Sequence, residues 1–120
     1  MTTLVEIPTI YESMTSAEKE VADFLKSKGL FWEFEYPLYL MDDKFRPRIW
    51  TPDFFIPDLG VYIEVCGNPN NDYAFRRKVY KLEDALVIFV ETYKETWKFF
   101  LTKRLQEIHE KRSEIMKRVH

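Results

Sequence analysis

The strongest constraint on the fold is a pair of apolar runs joined by a turn. Residues 49–56 and 61–66 are rich in β-branched and aromatic side chains, and Pro57-Asp58-Leu59-Gly60 lies between them. Proline at the start and glycine at the end are typical of a β-turn. The two runs therefore predict a β-hairpin. If the strands are in register on either side of this turn, Asp53 lies opposite Glu64.

Two opposed carboxylates in apolar strands point to a cation or a shared proton. Directly opposed side chains lie on one face of the sheet with Cβ atoms about 4.5–5.5 Å apart, where like charges are destabilising. Oxygen ligands suit Mg²⁺ or Mn²⁺, and Mg²⁺ often uses one or two carboxylates together with substrate phosphates. Such an ion favours phosphodiester cleavage. The alternative is an acidic hairpin whose carboxylates are exposed to solvent.

Hydrophobic periodicity elsewhere predicts the element order α-β-β-β-α-β-α. The first helix can be capped by Thr15 or Ser16 and ended by Gly29. Outside the hairpin, the predicted elements are a helix over residues 16–28, a strand over Phe31–Leu40, a charged turn over Met41–Pro47, a helix over Asp72–Asp84, a buried strand over Leu86–Val90, and a long helix over Tyr93–Val119.

A chain of 120 residues with 46% hydrophobic and 17% aromatic side chains is large enough for one domain with one core. We expect residues 1–120 to form a single α/β domain with a central mixed four-stranded sheet. Its core should span about residues 14–90, followed by a C-terminal helix over about 93–119. That helix carries a heptad-like stripe, so self-pairing into a homodimer and packing on the sheet are both open. The stripe consists of Leu101, Leu105, Ile108, Ile115 and Val119.

Charge and cysteine content narrow the class of protein further. The net charge is −2, but residues 1–60 carry 11 acidic and 6 basic side chains, whereas residues 91–120 carry 5 acidic and 8 basic. The basic end fits either a polyanion-binding surface or a favourable helix dipole. The single cysteine, Cys66, excludes an intrachain disulfide and a cysteine-based zinc site. With no long apolar run, we expect no membrane association and an intracellular, cytoplasmic protein.

The hairpin residues resemble a known family of enzymes. Residues 50–55 (WTPDFF) followed by 61–67 (VYIEVCG) resemble the core of the PD-(D/E)xK nuclease superfamily, which has the restriction-endonuclease-like fold. Pro52-Asp53 matches its first motif and Glu64-Val65-Cys66 its second, and the element order extends the likeness over about residues 14–90. The resemblance implies a metal-dependent DNA endonuclease. In it, Asp53 and Glu64 would be catalytic and would bind Mg²⁺ or Mn²⁺ with the backbone carbonyl of Val65.

One motif position departs from the family pattern. Cys66 stands where the family has lysine, and a thiol is mostly neutral at pH 7, so it cannot supply a fixed positive charge. We interpret Cys66 as a small buried hydrophobic residue. The superfamily is known to relocate this lysine, and the helix after the motif offers Lys78 as the leading candidate and Arg77 as the second. The alternative is that these cations form a solvated helix face.

The same resemblance suggests a nucleic-acid surface and an accessory residue. Tyr73, Arg76, Arg77 and Lys81, together with the basic C-terminal helix, are predicted to contact nucleic acid, the cations by binding phosphates. Tyr73 or Trp50 could stack on a base, although packing is favoured. Glu18 matches a helix glutamate that is a further metal ligand in some relatives. It also stands three residues after Thr15, the spacing of a capping box, which we favour.

A rival function is a noncatalytic nucleic-acid-binding or assembly module that kept the nuclease fold. Cys66 favours this rival, whereas the retained Asp53 and Glu64 oppose it. The residues do not separate a DNA substrate from an RNA substrate. Because a chain this small has little surface for reading a sequence, we expect structure-selective or partner-directed action, as a homodimer through the C-terminal helix.

Overall fold

The computed structural model describes residues 9–119. Residues 1–8 and 120 of the predicted domain lie outside the described part. A short 3-10 turn at Ile10–Ser13 precedes the helices and strands. These are α1 (Ser16–Ser27), β1 (Glu33–Phe34), β2 (Leu38–Met41), β3 (Pro47–Trp50), β4 (Phe54–Ile56), β5 (Val61–Cys66), α2 (Ala74–Leu82), β6 (Val87–Glu91) and α3 (Trp97–Val119).

Four of the strands form one mixed sheet, in the order β1-β4-β5-β6. The β1–β4 and β4–β5 pairs are antiparallel, and β5–β6 is parallel. Strands β2 and β3 form a separate antiparallel hairpin. The predicted α/β class, the mixed four-stranded sheet and the C-terminal helix are confirmed. The restriction-endonuclease-like fold stays a prediction.

The predicted hairpin and its register are confirmed. Phe54 pairs with Ile63 and Ile56 with Val61. Gly60 closes the turn with a φ of +63°, a conformation that glycine adopts without a Cβ clash, and its amide donates to the Ile56 carbonyl at 2.9 Å. The same register, continued by one residue beyond β4, places Asp53 opposite Glu64.

Two predicted strands are each interrupted, so their predicted extents were wrong. The run Phe31–Leu40 divides into β1 and β2, because Glu35 has a φ of +54° and is followed two residues later by Pro37. The run 49–56 divides at Pro52, which has no amide hydrogen for a ladder. As a result β2 and β3 leave the sheet as a hairpin, and β3 begins inside the predicted charged turn.

Both faces of the sheet are covered. Successive residues of β5 point to opposite faces, so each face has its own cluster of buried side chains. On one face, α1 and α3 pack against the sheet, and this core includes Leu25, Phe54, Val61, Ile63, Val90, Leu101, Leu105 and Ile108. On the other face, α2 and the β2–β3 hairpin enclose a second cluster of Leu40, Cys66, Val79, Tyr80 and Phe89. Helix α3 therefore contributes side chains to the hydrophobic core on the first of these faces.

The helix ends follow local signals only in part. Helix α1 begins after Thr15 and is followed by Gly29, as predicted. Helix α2 begins two residues later than predicted, where the Asp72 carboxylate accepts the amide hydrogen of Ala74 at 2.9 Å. Helix α3 begins at Trp97 rather than Tyr93. Its last buried side chain among the described residues is Ile108, so its C-terminal part extends beyond the core as predicted.

Candidate metal and nucleic-acid site

A pocket lies where the start of α1, the end of β5 and the start of α2 meet. It has a volume of about 380 Å³. Gly67 allows this approach, since a Cβ at that position would lie 3.1 Å from the Cβ of Ala17. The lining residues are Thr15, Ala17, Glu18, Thr51, Asp53, Glu64, Val65, Gly67, Asn71, Tyr73 and Arg76. The predicted pair Asp53 and Glu64 is therefore brought together with Glu18 and Val65.

Pro52 changes the hydrogen bonding at the end of the β4–β5 ladder. In this register Val65 lies opposite Pro52, and proline has no amide hydrogen to donate to the Val65 carbonyl. The amide of Val65 donates instead to the Asp53 carboxylate, with 2.6 Å between the nitrogen and Oδ2. The Asp53 backbone carbonyl is fixed by the amide of Glu35 at 2.9 Å. The Pro-Asp dipeptide thus holds the Asp53 side chain against the C-terminal end of β5.

The Asp53 carboxyl lies in an environment that disfavours its charge. Burial is the main cause, followed by a hydrogen bond with the Glu18 carboxyl and the negative charges of Glu64 and Glu18, and together these raise the pKa of Asp53 from 3.8 to about 8. The Val65 amide acts in the opposite direction but is outweighed. Around neutral pH the cluster therefore holds a proton unless a cation replaces it.

Glu18 caps α1, as the sequence favoured, and its carboxylate also borders the pocket. Its Oε1 accepts the Thr15 amide hydrogen at 2.8 Å, and its own amide donates to the Thr15 hydroxyl at 3.2 Å, which confirms the capping box. The cap fixes Glu18 at the first turn of α1, where it is 9% exposed and borders the pocket. A residue that stabilises the helix start is therefore also the third carboxylate of the cluster.

Glu64 is held from the other side by two donors on α2. Arg76 Nη1 lies 2.8 Å and the Tyr80 hydroxyl 2.7 Å from the same oxygen, Oε1. Neither of these bonds uses Oε2. The buried Glu64 carboxylate is therefore oriented and partly neutralised, while its second oxygen is available to a ligand.

The aromatic ring of Trp50 completes the support of Arg76. The Arg76 guanidinium lies 5.0 Å from the centre of this ring, and Trp50 meets Tyr80 edge to face at 5.3 Å. Trp50 therefore packs, as the sequence favoured, and its contact also fixes a cation beside Glu64.

Cys66 behaves as the sequence predicts. It is 3% exposed, and burial raises the pKa of its thiol to about 11. The thiol is neutral near pH 7 and cannot replace the family's lysine.

Lys78 is not brought to the carboxylates, contrary to the prediction that made it the relocated cation. Its Nζ forms an ion pair with Asp43 Oδ2 at 2.9 Å, and 59% of its side chain is exposed. Two residues along a helix correspond to a rotation of about 200°, so Lys78 and Arg76 point in nearly opposite directions. The cation that α2 places at the site is Arg76, which the sequence assigned to phosphate binding.

Of the remaining predicted residues, Tyr73 lines the pocket, whereas Arg77 and Lys81 do not. Arg77 lies over the Phe89 ring at 4.0 Å and borders a neighbouring pocket with Cys66. Tyr73 lines both pockets and contacts the edge of Phe89 at 5.8 Å. Lys81 is exposed. Tyr73 and Arg77 therefore lie at or beside the pocket, and Lys81 lies one helical turn beyond Arg77 on α2.

Sequence reasoning missed Tyr80 and the role of Arg76. A signal was present, because residues four apart on a helix lie on one face and Tyr80 is flanked by the apolar Val79. An arginine one turn before a buried tyrosine could have indicated that both reach the same partner in the sheet.

The donor set fits a hard divalent cation that keeps part of its shell for water or phosphate. Within residues 9–119, no group of three or more His, Cys, Asp or Glu side chains is arranged to hold a metal ion unaided. Mg²⁺ commonly takes only one or two protein carboxylates. The Asp53 Oδ atoms, Glu64 Oε2 and the Val65 carbonyl are oxygen donors of that kind.

Comparison with protein-family models, curated proteins and solved structures gives no significant match. No helix in the described part of the chain is both long and apolar enough to cross a membrane. A function therefore has to be inferred from the geometry of the pocket.

Proposed function

We propose that the protein is a metal-dependent nuclease that hydrolyses phosphodiester bonds in DNA. The observation that carries the proposal is the convergence of Glu18, Asp53 and Glu64 on one pocket, where the pKa of Asp53 rises to about 8. Burying neighbouring carboxylates is energetically unfavourable, and a bound cation would compensate for their negative charge. Mg²⁺ or Mn²⁺ meets that need and prefers oxygen donors.

Asp53, Glu64 and the Val65 carbonyl would hold the ion, with Glu18 as an accessory carboxylate. When bound, the ion would supply a more acidic water and neutralise charge on the scissile phosphate. Because its pKa is raised, Asp53 must lose a proton before it can act as a ligand. Arg76 and Tyr80 already hold Glu64 Oε1 in place, so the orientation of this carboxylate is fixed before an ion binds.

Arg76 would take the role that lysine has in the superfamily that the chain resembles. Its guanidinium is permanently charged, is fixed between Glu64 and Trp50, and lines the pocket. A charge in that position stabilises a phosphate that gains negative charge in the transition state. The nucleic-acid backbone would be bound by Tyr73 in the pocket lining, by Arg77 beside it and by Lys81 one turn farther along α2.

The test compares the native chain with Asp53→Asn. We expect Mn²⁺ to bind the native chain with measurable heat in isothermal titration, and Asp53→Asn to lose this heat together with cleavage of labelled DNA. Branched, duplex and single-stranded DNA and RNA are each incubated with Mg²⁺, Mn²⁺ or chelator. Asp58→Asn is the matched control, because Asp58 is an exposed aspartate in the β4–β5 turn. Cleavage that persists in chelator or in Asp53→Asn contradicts the proposal.

Two further variants in the same assay separate the candidate cations. Arg76→Ala should lower cleavage by about 100-fold or more, as loss of one fixed transition-state donor does. Lys78→Ala should retain activity, because its partner Asp43 lies outside the pocket. If Lys78→Ala loses cleavage and Arg76→Ala retains it, the cation that stabilises the transition state is Lys78 instead.

A noncatalytic nucleic-acid-binding or assembly module remains the second candidate. Cys66 favours it, because its neutral buried thiol replaces the motif lysine. Nucleic-acid binding without Mn²⁺ heat or cleavage would support the module.

The proposed enzyme also acts as a homodimer through the free end of α3. Ile115 and Met116 are 50% and 57% exposed there, beyond the part of the helix that packs on the sheet. Two copies paired in this way would carry two pockets for paired cuts.

A further inference from the structure

The tip of the β2–β3 hairpin places a phenylalanine in a backbone conformation that favours glycine. The Phe45 amide donates to the Asp42 carbonyl and the Asp42 amide to the Arg46 carbonyl, both at 3.0 Å. This is a turn followed by a single left-handed residue, and Phe45 occupies that position with a φ of +59°. A bulky side chain there crowds its own backbone. Such an outlier suggests a role other than local folding.

Phe45 does not compensate for this strain by packing. Its side chain is 83% exposed. The turn is held instead by the buried carboxylate of Asp42, which accepts the amides of Lys44 and Arg46 at 2.8 and 3.0 Å. The Nε atoms of Arg46 and Arg48 donate to the other Asp42 oxygen at 3.0 and 2.8 Å. The hairpin therefore presents the ring to solvent on a fixed backbone.

The hairpin is braced against α2 and begins at the pocket. Lys78 pairs with Asp43 at 2.9 Å near the tip, and Arg48 lies 5.5 Å from the centre of the Phe75 ring. At the base, Thr51 lines the pocket. Phe45 is six residues from Thr51, so the Cα atoms of these two residues lie at most about 22 Å apart. That distance corresponds to roughly six nucleotides along one strand.

The chemistry of the tip matches a nucleic acid. Lys44 and Arg46 flank the ring, and 59% of the Arg46 side chain is exposed. Within residues 9–119, Lys44 has no carboxylate at ion-pair distance. A planar ring between two cations offers a stacking surface for a base and charges for the adjacent phosphates. Tyr39 and Ile49, opposed on the outer face, extend this surface with 73% and 63% exposure.

We infer that Phe45 stacks on an unpaired base of a nucleic acid whose backbone occupies the pocket, within about six nucleotides of the held phosphate. Lys44 and Arg46 contact the phosphates on either side of that base. The inference rests on the proposed function for the class of ligand. It adds a basis for substrate choice, because a strand with an exposed base near the cut would be preferred to a continuous duplex.

The test measures binding without cleavage, in chelator, by fluorescence anisotropy of a labelled duplex that carries a single-stranded extension. Phe45→Ala should weaken binding by about tenfold, as loss of one base-stacking ring does, and Phe45→Trp should restore it. Phe99→Ala is the matched control, because Phe99 is 73% exposed on α3. Phe45→Gly should also lose binding while its thermal midpoint equals or exceeds that of the native chain.

The outcomes separate this inference from the proposed function. Phe45-dependent binding without metal-dependent cleavage supports the inference and contradicts the nuclease. Cleavage with unchanged binding in Phe45→Ala contradicts the inference alone. A Phe45→Ala variant that binds DNA normally but changes its sedimentation coefficient would make the tip a protein contact and overturn the inference. If the native chain binds no nucleic acid in any condition, both proposals fail.

Discussion

At the scale of single residues, Asp53 couples folding to pH. Its pKa rises from 3.8 to about 8 on folding, chiefly because of burial and then because of the neighbouring Glu18 and Glu64. The folded state therefore holds a proton that the unfolded chain releases above about pH 4. The stability linked to this proton is fully present below pH 4 and is lost as the pH rises towards 8. Asp42 titrates outside this window, because its hydrogen bonds, above all with Arg48, lower its pKa.

We expect Asp53→Asn to remove this pH dependence. In chelator, the variant should be more stable than the native chain at pH 8 by on the order of 2 kcal/mol, and the difference should shrink at pH 4. Urea unfolding at pH 4, 6 and 8 measures the free energies. Native and variant curves that stay parallel across this range would show that Asp53 is ionised in the folded state.

At the scale of elements, α1 and α2 end in the same way with different residues. After α1, the Leu30 amide donates to the Leu25 carbonyl across Gly29, at 3.1 Å. After α2, the Ala85 amide donates to the Tyr80 carbonyl across Asp84, at 2.9 Å. Gly29 and Asp84 have φ angles of +72° and +55°. Both ends are Schellman motifs, in which glycine avoids the strain of a Cβ.

Asp84→Gly should therefore stabilise the protein by about 0.5–1 kcal/mol, since the left-handed residue loses its Cβ clash. Gly29→Asp should destabilise it by a similar amount. Thermal unfolding followed by circular dichroism compares the two variants with the native chain. A loss of stability in Asp84→Gly would mean that the aspartate side chain does more at this position than the backbone geometry indicates.

At the scale of the whole molecule, the first part of α3 packs in the core and its C-terminal part is exposed to solvent. Leu101, Leu105 and Ile108 pack on the sheet. Of the two alternatives for the predicted stripe, packing on the sheet therefore holds for its first three positions. Ile115 is 50% exposed, and the Val119 side chain lies outside the described part. Removing the helix from residue 103 onwards would therefore remove core side chains together with the free end.

Point substitutions separate these two parts of α3. Leu105→Ala should cost about 2–4 kcal/mol, as expected for a buried leucine, whereas Ile115→Asp should change stability by less than about 0.5 kcal/mol. Urea unfolding measures both. In sedimentation velocity, Ile115→Asp should shift the proposed dimer to a monomer. Equal sedimentation of the two chains would place any self-association elsewhere.

Elements governed by near neighbours could be predicted from the sequence. The Pro57-Asp58-Leu59-Gly60 turn set the β4–β5 register and hence the opposition of Asp53 and Glu64. The Thr15 cap and Gly29 marked the ends of α1. These features depend on backbone preferences and contacts within a few residues, which are written in the local sequence.

Only the tertiary structure decided which cation reaches Glu64. Arg76, Arg77 and Lys78 are consecutive, so the sequence offers all three, and the rotation of α2 selects among them. That rotation is set by Val79 and Tyr80 packing against Phe89 of β6, a contact between distant parts of the chain. The breaks at Glu35 and Pro52 that let β2 and β3 leave the sheet are local, but the packing of their inward side chains on α2 decided where this hairpin lies. Local signals determined where chain segments turn and which carboxylates meet, whereas long-range packing determined what surrounds those carboxylates.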